Sequence, residues 1–296
     1  MKLSINQMRA VEAVVRTGSF SAAAKELGIS QPSVSNHLSA LEKHYRTQLI
    51  HRNGRQAEAT ETCREILSRI RSVLAMTDEI EHALEGRRRM QAGSLRLGYS
   101  TYQFAMPILS DFMMKFPDVE IEARSMASND LLPLLEDGKF DVVFITAEEA
   151  PLGLHFEKIR TEPIVLVVPP DHPLCEKGKA SWHDVASYPL VQRENSSGTR
   201  RLFEKAARRA GYELNTVLAL GSWGAIVTTI NAGMGIGVAM EGEVLSSNNL
   251  VTIPIEDDDL HVSHYVACLP EMQHVSAIRA MFDSVFDKGG IIRSVV

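Results

Sequence analysis

Hydroxyl, amide and guanidinium groups collect at a few points of this chain, in patterns that suit binding better than bond-breaking. Ser100-Thr101-Tyr102, Ser128-Asn129 and the run Asn195-Ser196-Ser197-Gly198-Thr199-Arg200-Arg201 each separate a strand-like stretch from a helical one, and Thr146 closes a further apolar run. A helix that starts just after a strand offers free N–H groups to an anion. In the third segment Gly198 permits close backbone approach, Ser196, Ser197 and Thr199 add hydroxyls, and Arg200 or Arg201 adds charge-assisted bonds. Any one of these hydroxyls also serves as an ordinary helix cap. Ser222 and Glu241 join the candidates, Glu241 as a partner for an amine, whereas Trp223 reads as a core or hinge aromatic and His264 as structural.

The sequence assembles no catalytic or metal-ligating set. It holds neither GxSxG nor HExxH, and its ten histidines are scattered. Cys63, Cys175 and Cys268 are far apart and form no CxxC pair, which argues for a reducing compartment and against a disulfide scaffold. Gly233-Met234-Gly235-Ile236-Gly237 follows a helical run instead of opening one, so it reads as a glycine turn into a strand and not as a dinucleotide site. No catalytic residue, metal or cofactor is assigned. The expected ligand is a small anion: a phosphonate, a carboxylate or similar.

A different polar cluster lies near the amino end. Ala23, Ala24 and Leu27 fall at helical spacing after Ser21, Gly28 breaks the run, and Ser30 caps a new helix with Pro32 in its first turn. Val34, Leu38 and Leu41 mark the buried face of that second helix. Gln31, Pro32, Ser33, Ser35, Asn36 and His37 remain for the other faces, which suits a helix lying in the DNA major groove, where Gln and Asn pair with adenine edges. The basic tail His51-Arg52-Asn53-Gly54-Arg55 follows, with Asn53-Gly54 as a tight-turn signal and Arg52 and Arg55 placed to meet phosphates. A helix over 5–16, with Met8, Val11, Val14 and Val15 inward, supports the pair.

Beyond the tail the sequence predicts a helix over 60–85, roughly 40 Å long. Ile66, Ile70, Val73, Thr77, Ile80 and Leu84 recur at coiled-coil spacing along it, which predicts self-association. It ends in Gly86-Arg87-Arg88-Arg89 and a short linker. From Ser94 the period changes to alternating strands and helices, read as parallel α/β sheet in two similar halves. Charge divides along the same lines: residues 1–58 hold eight basic against four acidic side chains, 59–92 hold six of each, and the remainder holds 17 against 27. A basic head on an acidic body fits a protein whose head alone meets nucleic acid. The amino end lacks the pattern of a secretory leader and no stretch reaches membrane-spanning length, so a cytoplasmic location without membrane attachment is expected.

The opening fifth resembles LysR-type transcriptional regulators: Met8 and Val11 to Val14, Gly18-Ser19-Phe20, Ala23-Ala24, Leu27, Ser30-Gln31-Pro32-Ser33-Val34-Ser35, Leu41-Glu42, and Leu49 to Arg52 agree with the family in order and spacing. The chain departs from the family at Arg46, where glycine is usual, at Ile50, where phenylalanine is usual, and in Thr60-Glu61-Thr62-Cys63. The resemblance implies an α/β protein with an all-α N-terminal part: a winged helix-turn-helix head over 1–59, a dimerising linker helix over 60–92, and a two-lobed, periplasmic-binding-protein-like effector domain over 93–290. Lobe I would cover 93–161 and 267–290, and lobe II 162–266. It further implies double-stranded DNA as partner, assembly as a homodimer or homotetramer, and a small effector between the lobes. A finer likeness, carried by Glu42-Lys43-His44-Tyr45, by 196–204 and by His264-Tyr265-Val266-Ala267-Cys268-Leu269, is to members associated with 2-aminoethylphosphonate breakdown. The alternative is an enzyme or small-molecule-binding protein carrying an accessory DNA-binding head.

Overall fold

The structure, a computed structural model, describes residues 3–53, 56–84 and 93–288. The head opens with α1 (Ile5–Thr17), α2 (Phe20–Glu26) and α3 (Gln31–Tyr45). Ser4, Ser19 and Ser30 cap the three helices, each accepting a backbone N–H three residues on. Met8, Val11, Val14, Ala23, Ala24, Val34, Leu38 and Leu41 close one core, as the spacing predicts. The wing is β1 (Ile50–Asn53) paired antiparallel with β2 (Gln56–Ala59). Asn53 is the last rung, opposite Gln56, so it belongs to the strand and not to the turn as the dipeptide suggested. Gly54 and Arg55 lie outside the described residues, as do 85–92 with the predicted basic stop and linker.

The linker helix α4 (Glu61–Leu84) corrects the predicted seam. Its first half belongs to the head: Cys63, Leu67 and Ile70 are buried in the head core and Ile66 packs against it. Only the second half presents an apolar strip to solvent, made of Val73, Met76, Ile80 and Leu84. The apolar spacing that fills the head core runs on without a break into the exposed strip.

The body contains β3 (Gly93–Tyr99), α5 (Tyr102–Lys115), β4 (Val119–Ser125), α6 (Ser128–Glu136), β5 (Val142–Ala147) and β6 (His155–Val168). It continues through α7 (Leu174–Lys177), α8 (Trp182–Ser187), β7 (Leu190–Arg193), α9 (Gly198–Arg209), β8 (Thr216–Leu220) and α10 (Trp223–Asn231). β9 (Ile236–Met240), β10 (Val251–Pro254), β11 (His261–Cys268) and α11 (Ser276–Lys288) complete it. The sheet order is β4-β3-β5-β11-β6-β9-β7-β8, with β10 added on β6.

The two halves are parallel at their centres, β3 with β4 and β5, β7 with β8 and β9. They are joined by two antiparallel strands, so the all-parallel expectation holds only within each half. β6 starts at His155, well before the run 164–168 that its valines advertise; its first part pairs with β11 and its end with β9. β11 in turn pairs with β5 from Ser263 onward. The two crossing strands thus belong to both lobes. The glycine turn ahead of β9 has Gly233 at φ 75° and Gly235 at φ 155°, conformations that suit glycine. Among the described residues, no helix is long and apolar enough to cross a membrane.

Candidate functional site

Two places can meet a partner: the outer face of α3 and the cleft between the lobes. On α3, burial of Val34, Leu38 and Leu41 leaves Gln31, Pro32, Asn36 and Ser39 exposed. Ser33, Ser35 and His37 are half-buried. Ser33 is committed to the helix start, its N–H donating to the Ser30 hydroxyl at 3.3 Å and its own hydroxyl lying 2.8 Å from it. Arg52 lies on β1 opposite Ala57, within the wing. Glu42 fixes the wing to α3: its Oε1 accepts the N–H groups of Leu49 at 2.8 Å and Ile50 at 3.2 Å.

In the cleft, Thr146 at the end of β5 is the hub. Its hydroxyl lies 3.2 Å from that of Ser100, 3.4 Å from that of Thr101 and 3.2 Å from Nδ1 of His264. Its N–H donates to the Ser128 hydroxyl at 2.9 Å. From the other lobe, Ser197 caps α9, and a Cβ on Gly198 would fall 2.7 Å from the Thr146 carbonyl oxygen, so a residue with a side chain there would part the lobes. Three further ties cross the gap: Gln103 donates to the Glu243 carbonyl at 3.2 Å, Arg201 to Asn129 at 2.6 Å, and Lys205 to Glu148 at 2.9 Å. The lobes are closed, and the cavity between them, about 20 Å³, has room for about one water.

Of the candidate residues, Ser100, Thr101, Ser128, Thr146, Ser197, Gly198, Thr199 and Arg200 all line this cavity. Five others do not. Tyr102 points outward and is 46% exposed, Asn129 sits at the mouth against Arg201, and Ser196 does not reach the cavity. Ser222 only caps α10, and Glu241 is exposed. Arg200 is also turned aside, donating to Glu204 at 2.8 Å and to the Arg193 carbonyl at 2.8 Å.

The residues that sequence reasoning missed are Gln192, Arg193, Met240 and Glu243, which line the second lobe's wall. Gln192 and Arg193 end β7, a strand of four residues too short for its alternation to show. Glu243, buried at the end of a 3-10 turn, faces the cavity, whereas Glu241 two residues earlier is exposed. Burial pushes the Glu243 carboxyl up, opposed by the Met240 N–H that it accepts and by the charge of Arg193.

Thr146, His264 and Glu162 have the outline of a hydroxyl, base and carboxylate relay, with His264 Nε2 3.6 Å from Glu162 Oε2. Burial holds the imidazole pKa down to about 3, with Arg160 adding to the effect, so it is neutral and too weakly basic for general-base work near pH 7. Glu162 does not reverse this because its carboxylate is engaged by Arg160 and by the Gly242 N–H. His264 instead stacks on Phe104, ring centroids 3.8 Å apart. Burial likewise pushes the thiols of Cys63 to about 11 and Cys268 to about 12, which makes both poor thiolates. Among the described residues no group of three acidic, His or Cys side chains could hold a metal ion.

A winged helix-turn-helix head joined through a long helix to a two-lobed α/β body with a polar cleft defines a DNA-binding regulator with a ligand domain. The profile described as "Bacterial regulatory helix-turn-helix protein, lysR family" matches residues 5–64, and "LysR substrate binding domain" matches 88–289. An HTH-type transcriptional regulator of Methanocaldococcus jannaschii is 30% identical over 279 residues, 91% of this chain and 94% of that protein. Full-length OxyR from Pseudomonas aeruginosa superposes with a TM-score of 0.78 at 17% identity, covering 96% of this chain and 95% of that one. The Synechocystis PCC6803 CcmR regulatory domain in complex with 2-PG superposes with a TM-score of 0.61 at 24% identity, covering 68% of this chain and 99% of that one. The chain belongs to the LysR family: it is a LysR-type DNA-binding transcriptional regulator with an effector-binding domain, and not an enzyme.

Proposed function

We propose that α3 reads the major groove through Gln31 and Asn36, and that a small anion bound in the interlobe cleft controls the protein. On this reading residues 1–59 are the DNA-binding head, 60–92 the dimerising helix and 93–290 the effector domain. Lobe I takes 93–161 and 267–290, and lobe II 162–266. What carries it is the convergence of Ser100, Thr101, Ser128, Thr146, Ser197 and Thr199 from separate elements on one cavity. Hydroxyls and helix-start N–H groups gathered at such a point form an anion cradle. The CcmR domain with its bound 2-PG supports a small ligand in a body of this fold.

An effector larger than one water must part the lobes, and it shifts the protein only by its differential affinity for open and closed forms. For the finer effector class, 2-aminoethylphosphonate fits a cradle that takes the phosphonate and a carboxylate that takes the ammonium. Glu243, which lines the cleft, fills the second role in place of Glu241. Wing residues Arg52 and Arg55 hold phosphates, and the exposed strip Val73, Met76, Ile80 and Leu84 is the contact between two copies, in a dimer or in a tetramer built from two dimers.

A thermal-shift series with 2-aminoethylphosphonate, ethylphosphonate, phosphate and small carboxylates, each with and without a duplex selected from a random pool, tests the reading. Reversible stabilisation without turnover, strongest for the aminophosphonate, is expected. Stabilisation by none of them sinks the effector assignment, and failure to select any duplex at low salt sinks the DNA assignment. Ile80→Glu is expected to shift the protein toward monomer in light scattering, where an unchanged mass would overturn the dimer strip.

A further inference from the structure

Helix α6 begins in the cleft and ends against the head. At its first residue the Ser128 hydroxyl accepts the Thr146 N–H at 2.9 Å, so α6 is fastened to the hub of the cavity. The helix runs for nine residues, roughly 13 Å along the axis, to Glu136, and the chain turns off it at Gly138, which has φ 63°. There the Lys139 N–H donates to the Leu134 carbonyl at 2.7 Å and the Gly138 N–H to the Leu135 carbonyl at 2.8 Å. These are the paired bonds of a Schellman stop, which hold the turn rigidly on the helix end.

That turn is wedged between the head and α4. Arg71 of α4 is only 6% exposed, and its Nη1 donates to the Asp137 carbonyl at 3.3 Å. The same nitrogen fills the place a Cβ on residue 138 would take, so glycine is required there both for φ and for the guanidinium. Nε of Arg71 lies 3.5 Å from Glu12 of α1. Lys139 reaches further into the head, its Nζ donating to the carbonyls of Val15 at 3.2 Å and Arg16 at 3.4 Å. Those are last-turn carbonyls of α1, the end of a helix that favours a cation. Arg64 and Asp137, 3.5 Å apart, close the outer edge.

We propose that α6 is a lever, linking the state of the cleft to the placement of the DNA-binding head within a single protomer, with Arg71 and Lys139 as positioning residues at its far end. The inference rests on reading the cleft as the effector site. A ligand that displaces Thr146 displaces the residue to which α6 is tied, and the helix delivers that shift to the turn that grips α1. The Arg71 guanidinium is buried, its Nε paired with Glu12 at 3.5 Å and its Nη2 without a hydrogen-bond partner. Undocking would return this cation to water, which offsets part of what the contact contributes.

Amide hydrogen exchange on the full-length chain tests this without an effector. Lys139→Ala is expected to speed exchange about tenfold at 13–18 in the head and also at Leu131 and Thr146 in the cleft, while α9 and α10 are unchanged. Lys139→Arg, which keeps the cation, restores both sets. Acceleration confined to 13–18 would show a mere surface contact and overturn the lever, and so would no acceleration anywhere. Should Lys139→Ala lose its cooperative melt, Arg64→Ala is scored by the same pattern, since Arg64 is half exposed and pairs with the same turn. None of these outcomes bears on whether the cleft binds small anions, which the thermal-shift series decides separately.

Discussion

Helix α3 and the interlobe cleft are positioned by opposite means. Everything that sets α3 lies within about twenty residues of it: the Ser30 cap, the first-turn Pro32, three buried side chains, and the Glu42 carboxylate that ties the wing to its end. The cleft takes a few residues from each of many elements, from Ser100 after β3 to His264 on β11, and its shape exists only when both lobes are folded and closed. The apolar cores are separate too, one filling the head and the first half of α4, the others filling the two lobes. The head should therefore respond to single substitutions as a small domain does, and the cleft as a network whose members fail together.

The largest expected effect is on the head. Leu38 is fully buried, and Leu38→Ala should cost about 2–5 kcal/mol, a large share of the stability of a domain of some sixty residues. Calorimetry is expected to show an early transition for the head, loss of duplex binding, and a body transition close to that of the parent. If head and body melt together in both proteins, the contrast between the two regions is wrong.

Thr146→Val keeps the shape of the cleft hub and removes its hydroxyl, leaving Ser100, Thr101 and the His264 Nδ1 without their shared partner. About 1–3 kcal/mol of body stability should go, along with small-anion binding, while affinity for DNA at low salt stays. Equal loss of DNA binding would mean that the cleft and α3 are not separable.

His264 gives the cleft a pH signature. Its pKa falls from 6.5 in the unfolded chain to about 3 in the folded one. The unfolded chain thus takes up a proton below pH 6.5 that the folded protein refuses. The stabilisation is complete above about pH 6.5 and is lost as pH falls from there toward 3, by up to about 1.4 kcal/mol per pH unit. Urea midpoints of the body at pH 7, 6 and 5 should fall more steeply in the parent than in His264→Gln, and identical slopes would show that His264 is not buried neutral.

The same contrast explains what could be read from residue order. The head was legible down to its caps and its buried face because caps, turns and 3.6-residue spacing are local facts. The cleft was legible where a hydroxyl stands at a helix start, as at Ser100, Thr101, Ser128 and Ser197, or closes a strand, as at Thr146. Gln192, Arg193 and Glu243 carry no such mark, since they become neighbours only when β7 and β9 align and the lobes close. Glu241 and Glu243, two carboxylates two residues apart, look alike in the sequence until burial separates them. The linker periodicity misled differently, because the apolar spacing that closes the head core runs on unbroken into the exposed strip.

The smallest predicted effect lies at the end of α3, and it sharpens the claim that the head is set locally. Arg46 has φ 50° and ψ 40°, a left-handed conformation that crowds any Cβ, and its N–H donates to the Glu42 carbonyl to stop the helix. Glycine adopts this conformation freely, and relief of the clash is worth roughly 1 kcal/mol. Against it stand the greater freedom of glycine in the unfolded chain and the loss of a cation near the helix end, together about 0.5 kcal/mol. Arg46→Gly should therefore stabilise the head by about 0.5 kcal/mol, seen as a higher urea midpoint with an unchanged slope. Body stability and small-anion binding should not move. A lower midpoint would mean that the Arg46 side chain contributes more to the head than its exposed position suggests, and that the stop of α3 is not decided by backbone conformation alone.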